Sequence, residues 1–186
     1  MTESGRNPVD PASFGRVDSD GTVYVRTAEG ERSVGQVPDV PAADALAFFT
    51  RRFEALDLEV SLLQTRIASG ALSPDDALAS VRTVRDAVTG AHAVGDLDGL
   101  LRRLDELLPV IAAQRAARRA ERTRQNEETR AAKEHFVLEA ERLAAGNDWR
   151  GGVNRFRALL EAWKALPRLD RATDDELWHR FSSART

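Results

Sequence analysis

Between Ala112 and His135 the chain carries no large apolar side chain, only alanines among charged and polar residues. No Gly or Pro interrupts the longer stretch from Val110 to Ala145. Such a run predicts one helix of roughly 55 Å, at about 1.5 Å per residue. Its middle has no apolar face to bury, so it cannot drive a bundle core. It can stand in solvent through local support alone. Alanine supplies high helix propensity. Arg124–Glu128 and Arg130–Glu134 at i,i+4, with Arg118–Glu121 at i,i+3, supply opposite-charge pairs.

Upstream of that run, a short region switches to a period of two. Thr22-Val-Tyr-Val-Arg-Thr27 is rich in β-branched and aromatic residues and follows the turn signal Asp18-Ser-Asp-Gly21. A second turn, Ala28-Glu-Gly30, leads to Glu31–Gln36, and Phe14–Val17 precedes both. The pattern predicts a small three-stranded β-meander over 13–37, with Val23 and Val25 on one face and Tyr24 and Arg26 on the other. Three such strands need further packing to be stable. Either the chain's own helices supply it or the sheet takes a strand from another protein. Residues 1–12, with Gly5, Pro8 and Pro11, read as a disordered leader.

Pro38 and Pro41 separate the meander from a helical region over 42–108. Leu46, Phe49, Phe53, Leu56, Val60, Leu63 and Ile67 recur in alternating steps of three and four, an a/d seam held for three heptads. The seam must face another helix, from this chain or from a second copy. Gly70 ends it. Ser73-Pro74-Asp75-Asp76 then reads as a helix start, with serine at the cap and proline at the first helical position. Leu78, Val81, Val84, Val88 and Ala91 form its apolar stripe, and the short loop favours an antiparallel hairpin. Asp96 opens a third helix with Leu97, Leu100, Leu101, Leu104, Leu107 and Leu108. Pro109 either kinks that helix or starts a new one. This divides a helical hairpin or bundle over 42–108 from a long charged helix over 109–145.

Gly146-Asn147-Asp148 reads as a helix stop followed by a cap. Trp149, Val153, Phe156, Leu159, Leu160 and Trp163 follow at helical spacing. Past Pro167, Thr173-Asp-Asp-Glu176 reads as a capping box before Leu177, Trp178 and Phe181. That helix is barely three turns long at Thr186 and lacks a terminating Gly or Pro, so the sequence reads as a fragment of a longer protein. The fold class is mainly α: a small N-terminal meander, a helical hairpin or bundle, a long coiled-coil-like helix in solvent, and a C-terminal helical unit over 133–186.

Composition narrows the function classes. With no cysteine, disulfides and thiolate metal sites are excluded. The polar N-terminus has neither the basic start nor the apolar core of a signal peptide, and no apolar run approaches the ~18 residues of a membrane span. A cytoplasmic protein is the expectation. Residues 1–108 hold 11 basic and 18 acidic side chains, whereas 109–186 hold 16 and 12. The split points to an anionic partner for the C-terminal part, or to two ordinary solvated surfaces.

Candidate chemistry is sparse. His92, His135 and His179 lie far apart in sequence and lack the count and spacing of a metal site. There is no glycine-rich phosphate loop and no nucleophile elbow. Asp75-Asp76 and Asp174-Asp175 sit at helix starts, where carboxylates complement the dipole. Trp149, Trp163 and Trp178 form either a stacking platform for bases or a small aromatic core. The sharpest candidate is basic: Arg115, Arg118, Arg119, Arg122, Arg124, Arg130 and Lys133. The first four share one helical face, over about 10 Å of helix that can track a phosphate backbone.

The C-terminal third carries Lys133-Glu134, Glu139-Ala-Glu141, Asp148-Trp149, Leu160-Glu-Ala-Trp163-Lys164, Pro167 and Asp175-Glu-Leu177-Trp178-His-Arg180-Phe181. In these motifs and their spacing it resembles the bacterial domain of unknown function 349 family. The hairpin Asp20-Gly-Thr-Val-Tyr-Val-Arg26, and 25 arginines against 2 lysines, resemble actinobacterial members. The resemblance implies short, often tandem helical units beside coiled-coil-like segments, and no established activity. Ala165-Leu166 stand where members usually carry a glycine before the proline. The expectation is thus a non-catalytic interaction or scaffold protein, joined by a protein partner or by self-association through the Leu46–Ile67 seam. The alternative is an RNA- or ribosome-associated factor using the basic helix face. No cofactor, membrane or small-molecule ligand is expected.

Overall fold

The computed structural model of the chain describes residues 9–146 and 149–184, with only the backbone of Trp149 and Arg150. Three strands, β1 (Gly15–Val17), β2 (Thr22–Thr27) and β3 (Gly30–Gln36), precede five helices, α1 (Ala42–Ala68), α2 (Pro74–Thr89), α3 (Leu97–Ala145), α4 (Trp149–Ala165) and α5 (Arg171–Ser183). The architecture is mainly α with one small antiparallel sheet, as the patterning predicts. Contacts divide the chain into two compact units, 1–115 and 116–186. None of the helices among the described residues is long and apolar enough to cross a membrane.

In the first unit the strands form a meander of order β1-β2-β3. Val23 opposes Gly35 while Tyr24 opposes Ser33, so Val34 is an extra residue and β3 carries a bulge. Val23, Val25 and Val34 are buried in one cluster with residues of α1, α2 and the N-terminal part of α3. The sheet therefore docks on the chain's own helices. The leader expected over 1–12 needs correcting at its end. Residues 1–8 lie outside the described residues, but Pro11–Phe14 is already a turn of 3-10 helix, its N-terminus held where Asp10 Oδ1 accepts the Ala12 N–H at 3.0 Å.

The predicted seam is buried in this same core. Phe49, Phe53, Val60, Leu63 and Ile67 are buried, and Leu46 and Leu56 pack against them. The expectation that the whole seam faces a helix is corrected in its N-terminal half. A Cβ added to Gly35 of β3 would stand 2.6 Å from the Phe49 ring, and one added to Gly95 would stand 2.2 Å from Phe53 Cγ. Both rings thus lie flush on backbone that only glycine leaves bare. The C-terminal half does meet a helix. Arg103 of α3 reaches Ser61 and Gln64 at 2.8 and 2.7 Å, and pairs with Asp57. Gln114 Nε2 donates to the Ile67 carbonyl at 2.8 Å. Each large apolar side chain so buried contributes about 1.5–3 kcal/mol.

Local chemistry sets the helix ends. Ser73 Oγ accepts the Asp76 N–H at 3.1 Å with Pro74 at the first turn, as the sequence predicts for α2. Asp96 Oδ1 accepts the Gly99 N–H at 2.9 Å and opens α3. α3 then passes through Pro109 without a break. Pro109 is exposed, so the Asp105 carbonyl that loses its helical donor faces solvent and not the core.

The second unit packs the C-terminal part of α3 with α4 and α5 around Val137, Ala140, Leu159, Trp163, Leu177 and Phe181. Here the predicted capping box at Thr173 is corrected. α5 starts at Arg171, and the cap is Asp170, whose Oδ1 accepts the Thr173 N–H at 3.0 Å. A carboxylate at the cap outcompetes a threonine three residues later because it meets an orphan donor and the helix dipole together. That bond holds the Asp170 carboxyl below its ordinary value of 3.8. A carboxyl depressed in the folded state stabilises it above the ordinary value, and the contribution disappears as pH falls through the lower folded value. The Thr173 amide shift, followed by nuclear magnetic resonance, is expected to titrate with a midpoint below 3.8. Asp170→Asn keeps a cap and should flatten that curve. An unchanged curve would assign the titration to another carboxylate.

Candidate functional site

The basic candidates fall into three groups once their surroundings are known. The first comprises arginines whose charge is already matched. Arg115 is bonded to Asp75. Arg124 holds both oxygens of Glu121 at 2.8 Å and reaches Glu128 at 3.0 Å. These bonds raise the Arg124 pKa and lower that of Glu121, where the Arg124 hydrogen bond is the leading cause. Arg130 binds Glu134 at 2.9 Å, which raises its pKa in the same way. The expected Arg124–Glu128 and Arg130–Glu134 pairs therefore form, but Arg118–Glu121 does not. Arg124 and Gln125, on the next turn, have taken the Glu121 carboxylate. An acid preceding its base along the helix is the better orientation.

The second group is Arg118, Arg119 and Arg122. All three are exposed. Among the described residues no carboxylate pairs with any of them. Steps of one, three and four along α3 place them within about 100° of arc.

Lys133 stands alone, and its assignment to the basic face is corrected. Its side chain is 2% exposed and its ammonium is bonded to Asp174 of α5. The same ammonium lies 5.0 Å from the centre of the Trp163 ring. A carboxylate and an aromatic face together satisfy a charge that burial would otherwise strand. Lys133 ties α3 to α4 and α5. Asp174, expected only to complement a helix dipole, is its counter-ion. The sequence did hold one signal for this. Thr129, Lys133, Val137 and Ala140 recur in steps of four, four and three, and all four are buried.

The tryptophans resolve in the same direction. Trp163 is buried, 5.0 Å from the Phe181 ring and 5.7 Å from Trp178. It is core. Trp178 is 44% exposed beside a cleft of about 400 Å³ that Lys133, Lys164, Arg168 and Asp174 also line. Lys164 is matched by Glu161 at 2.8 Å. Of the remaining family-motif residues, Leu177 and Phe181 are buried, and Arg180 of α5 binds Glu141 of α3 at 3.0 Å. α3 ends at Ala145 and the Gly146 N–H donates to the Leu143 carbonyl at 3.2 Å, as the expected stop requires. Trp149 opens α4, but its side chain and the expected cap at Asn147-Asp148 lie outside what the structure describes. The histidines do not gather. The His92 ring bonds the Val34 carbonyl at 2.8 Å, and His135 lies 3.8 Å from Glu139.

Comparison with curated proteins and with solved structures finds no match. A family model does match, over residues 99–172. The matched segment starts well before the Lys133-Glu134 opening that the motif reading assigns. It takes in Arg118, Arg119, Arg122 and Lys133, and stops short of Leu177, Trp178, Arg180 and Phe181. That model is the one described as Domain of Unknown Function (DUF349), and it is over this segment that the chain is similar to the family.

Proposed function

We propose that this chain is a non-catalytic binding protein whose family segment takes the phosphate backbone of RNA on the Arg118, Arg119 and Arg122 face. The observation that carries the reading is selective neutralisation. Arg115, Arg124 and Arg130 each have a carboxylate, whereas these three, on the same helix, have none among the described residues. A guanidinium with no internal partner loses little on meeting a phosphate, and its planar fork suits a bidentate contact. The absence of large apolar side chains around it also fits a surface that remains solvated until a polyanion arrives. The interaction-scaffold reading loses the Leu46–Ile67 seam as a docking face, because that seam is spent in the core of its own unit.

Binding is tested with a fluorescently labelled single-stranded RNA, by anisotropy, over a series of salt concentrations. Three phosphate contacts on a single strand release enough counterion to give a slope of about −2 in log K against log salt. Changing Arg118, Arg119 and Arg122 together to Gln is expected to abolish that slope and weaken binding uniformly across sequences. Arg124→Gln, which removes a charge already matched, is expected to change affinity much less. Equal affinity and slope in the triple variant would end the reading.

A further inference from the structure

α1 is amphipathic twice over. Opposite its buried stripe, Asp44, Phe48, Arg51, Ala55, Leu58, Glu59, Leu62 and Arg66 are all exposed. At 3.6 residues per turn they fall within about 100° of arc. Phe48, Leu58 and Leu62 are among the large apolar side chains most open to solvent, at 49%, 60% and 56%. The four charged members share a second property. Asp44, Arg51, Glu59 and Arg66 have no ion-pair partner among the described residues, while Arg16, Arg85, Arg102, Arg103 and Arg115 of the same unit all do.

We infer that this outer face of α1 binds the same face of a second copy of the chain, antiparallel, with the two-fold axis at Ala55. The argument is self-complementarity. A two-fold interface brings residue i against residue j and j against i. Turning α1 about Ala55 sets Phe48 against Leu62, Arg51 against Glu59 and Asp44 against Arg66, each contact made twice. Ala55 meets its own counterpart, where a small side chain lets two helices approach closely. Leu58 comes against Arg52, whose guanidinium already lies 5.1 Å from the Phe48 ring, so its stem covers apolar surface. No like charges are opposed in this register. The paired stretch, Asp44 to Arg66, extends over about 34 Å. An unrelated partner would explain the exposed apolar stripe, but not why the four unmatched charges cancel under a two-fold rotation. The inference is independent of the RNA reading, since it uses no residue of α3.

The test is the mass of the full chain in solution by sedimentation equilibrium at micromolar to hundreds of micromolar concentration. The chain is 20.5 kDa, and twice that mass is expected at the upper end. Arg51→Glu alone or Glu59→Arg alone opposes like charges twice and is expected to give monomer, with circular dichroism and melting unchanged because both side chains are exposed. The double variant carrying Arg51→Glu and Glu59→Arg restores opposite charges and is expected to recover the dimer. A wild-type chain that stays monomeric throughout overturns the inference. A dimer indifferent to the single swaps, or one the double swap fails to rescue, places the interface elsewhere and overturns it equally.

Discussion

Asp174→Ala is expected to destabilise residues 116–186 by about 3 kcal/mol, the lower end of the cost of stranding one member of a buried ion pair. The lower end applies because the Asp174 side chain keeps 23% of its exposure, whereas that of Lys133 keeps 2%. Once the carboxylate is removed, the ammonium retains only the Trp163 ring. Urea unfolding reports this directly by tryptophan fluorescence, because Trp149, Trp163 and Trp178 all belong to this unit. Adding Lys133→Met to Asp174→Ala removes the stranded charge and keeps an apolar stem of similar length. Most of the lost stability should return, as it does when hydrophobic residues replace buried pairs. A single variant that loses under about 1 kcal/mol would show that the ammonium reaches water without Asp174.

Phe53→Ala is expected to cost residues 1–115 about 3–5 kcal/mol, the range for a buried aromatic reduced to a methyl. Its ring sits where a Cβ on Gly95 would be 2.2 Å from Cγ, so the backbone around Gly95 is shaped to the ring and cannot close over the vacancy. Poor collapse places the cost toward the top of the range. The urea midpoint followed by far-ultraviolet circular dichroism gives the value. A change below about 1.5 kcal/mol, the scale of a volume-conserving swap, would mean that the core repacks and the glycine contact is slack.

Elements whose chemistry is local were legible in the sequence. The meander followed from Asp18–Gly21 and Ala28–Gly30, and the α2 start from Ser73-Pro74, because a turn or a cap depends on a handful of neighbouring residues. The α1 seam was legible as a buried stripe, yet what buries it was not. Periodicity records that one face leaves water, and it is silent about whether a helix or a bare glycine backbone takes it. Pro109 was ambiguous because its cost depends on whether it faces solvent, which is a tertiary fact. The basic site was legible as a set and not as individuals. Arg118 and Arg124 look alike in sequence. Only side-chain geometry shows that Glu121 serves the second and leaves the first unmatched. Lys133 has the charge of the basic face but the helical phase of the core, in step with Val137 and Ala140, and phase decides where it goes.

The bulge at Val34 has a consequence for solubility. β3 is an edge strand, seven residues long, and a straight edge of that length presents a ladder of open amides and carbonyls on which a misfolded neighbour can template itself. The extra residue throws the ladder out of register, and the His92 ring occupies the Val34 carbonyl at 2.8 Å. What remains is too irregular to seed a cross-β stack. A single inserted valine and one imidazole thereby blunt the β3 edge of the sheet as a template.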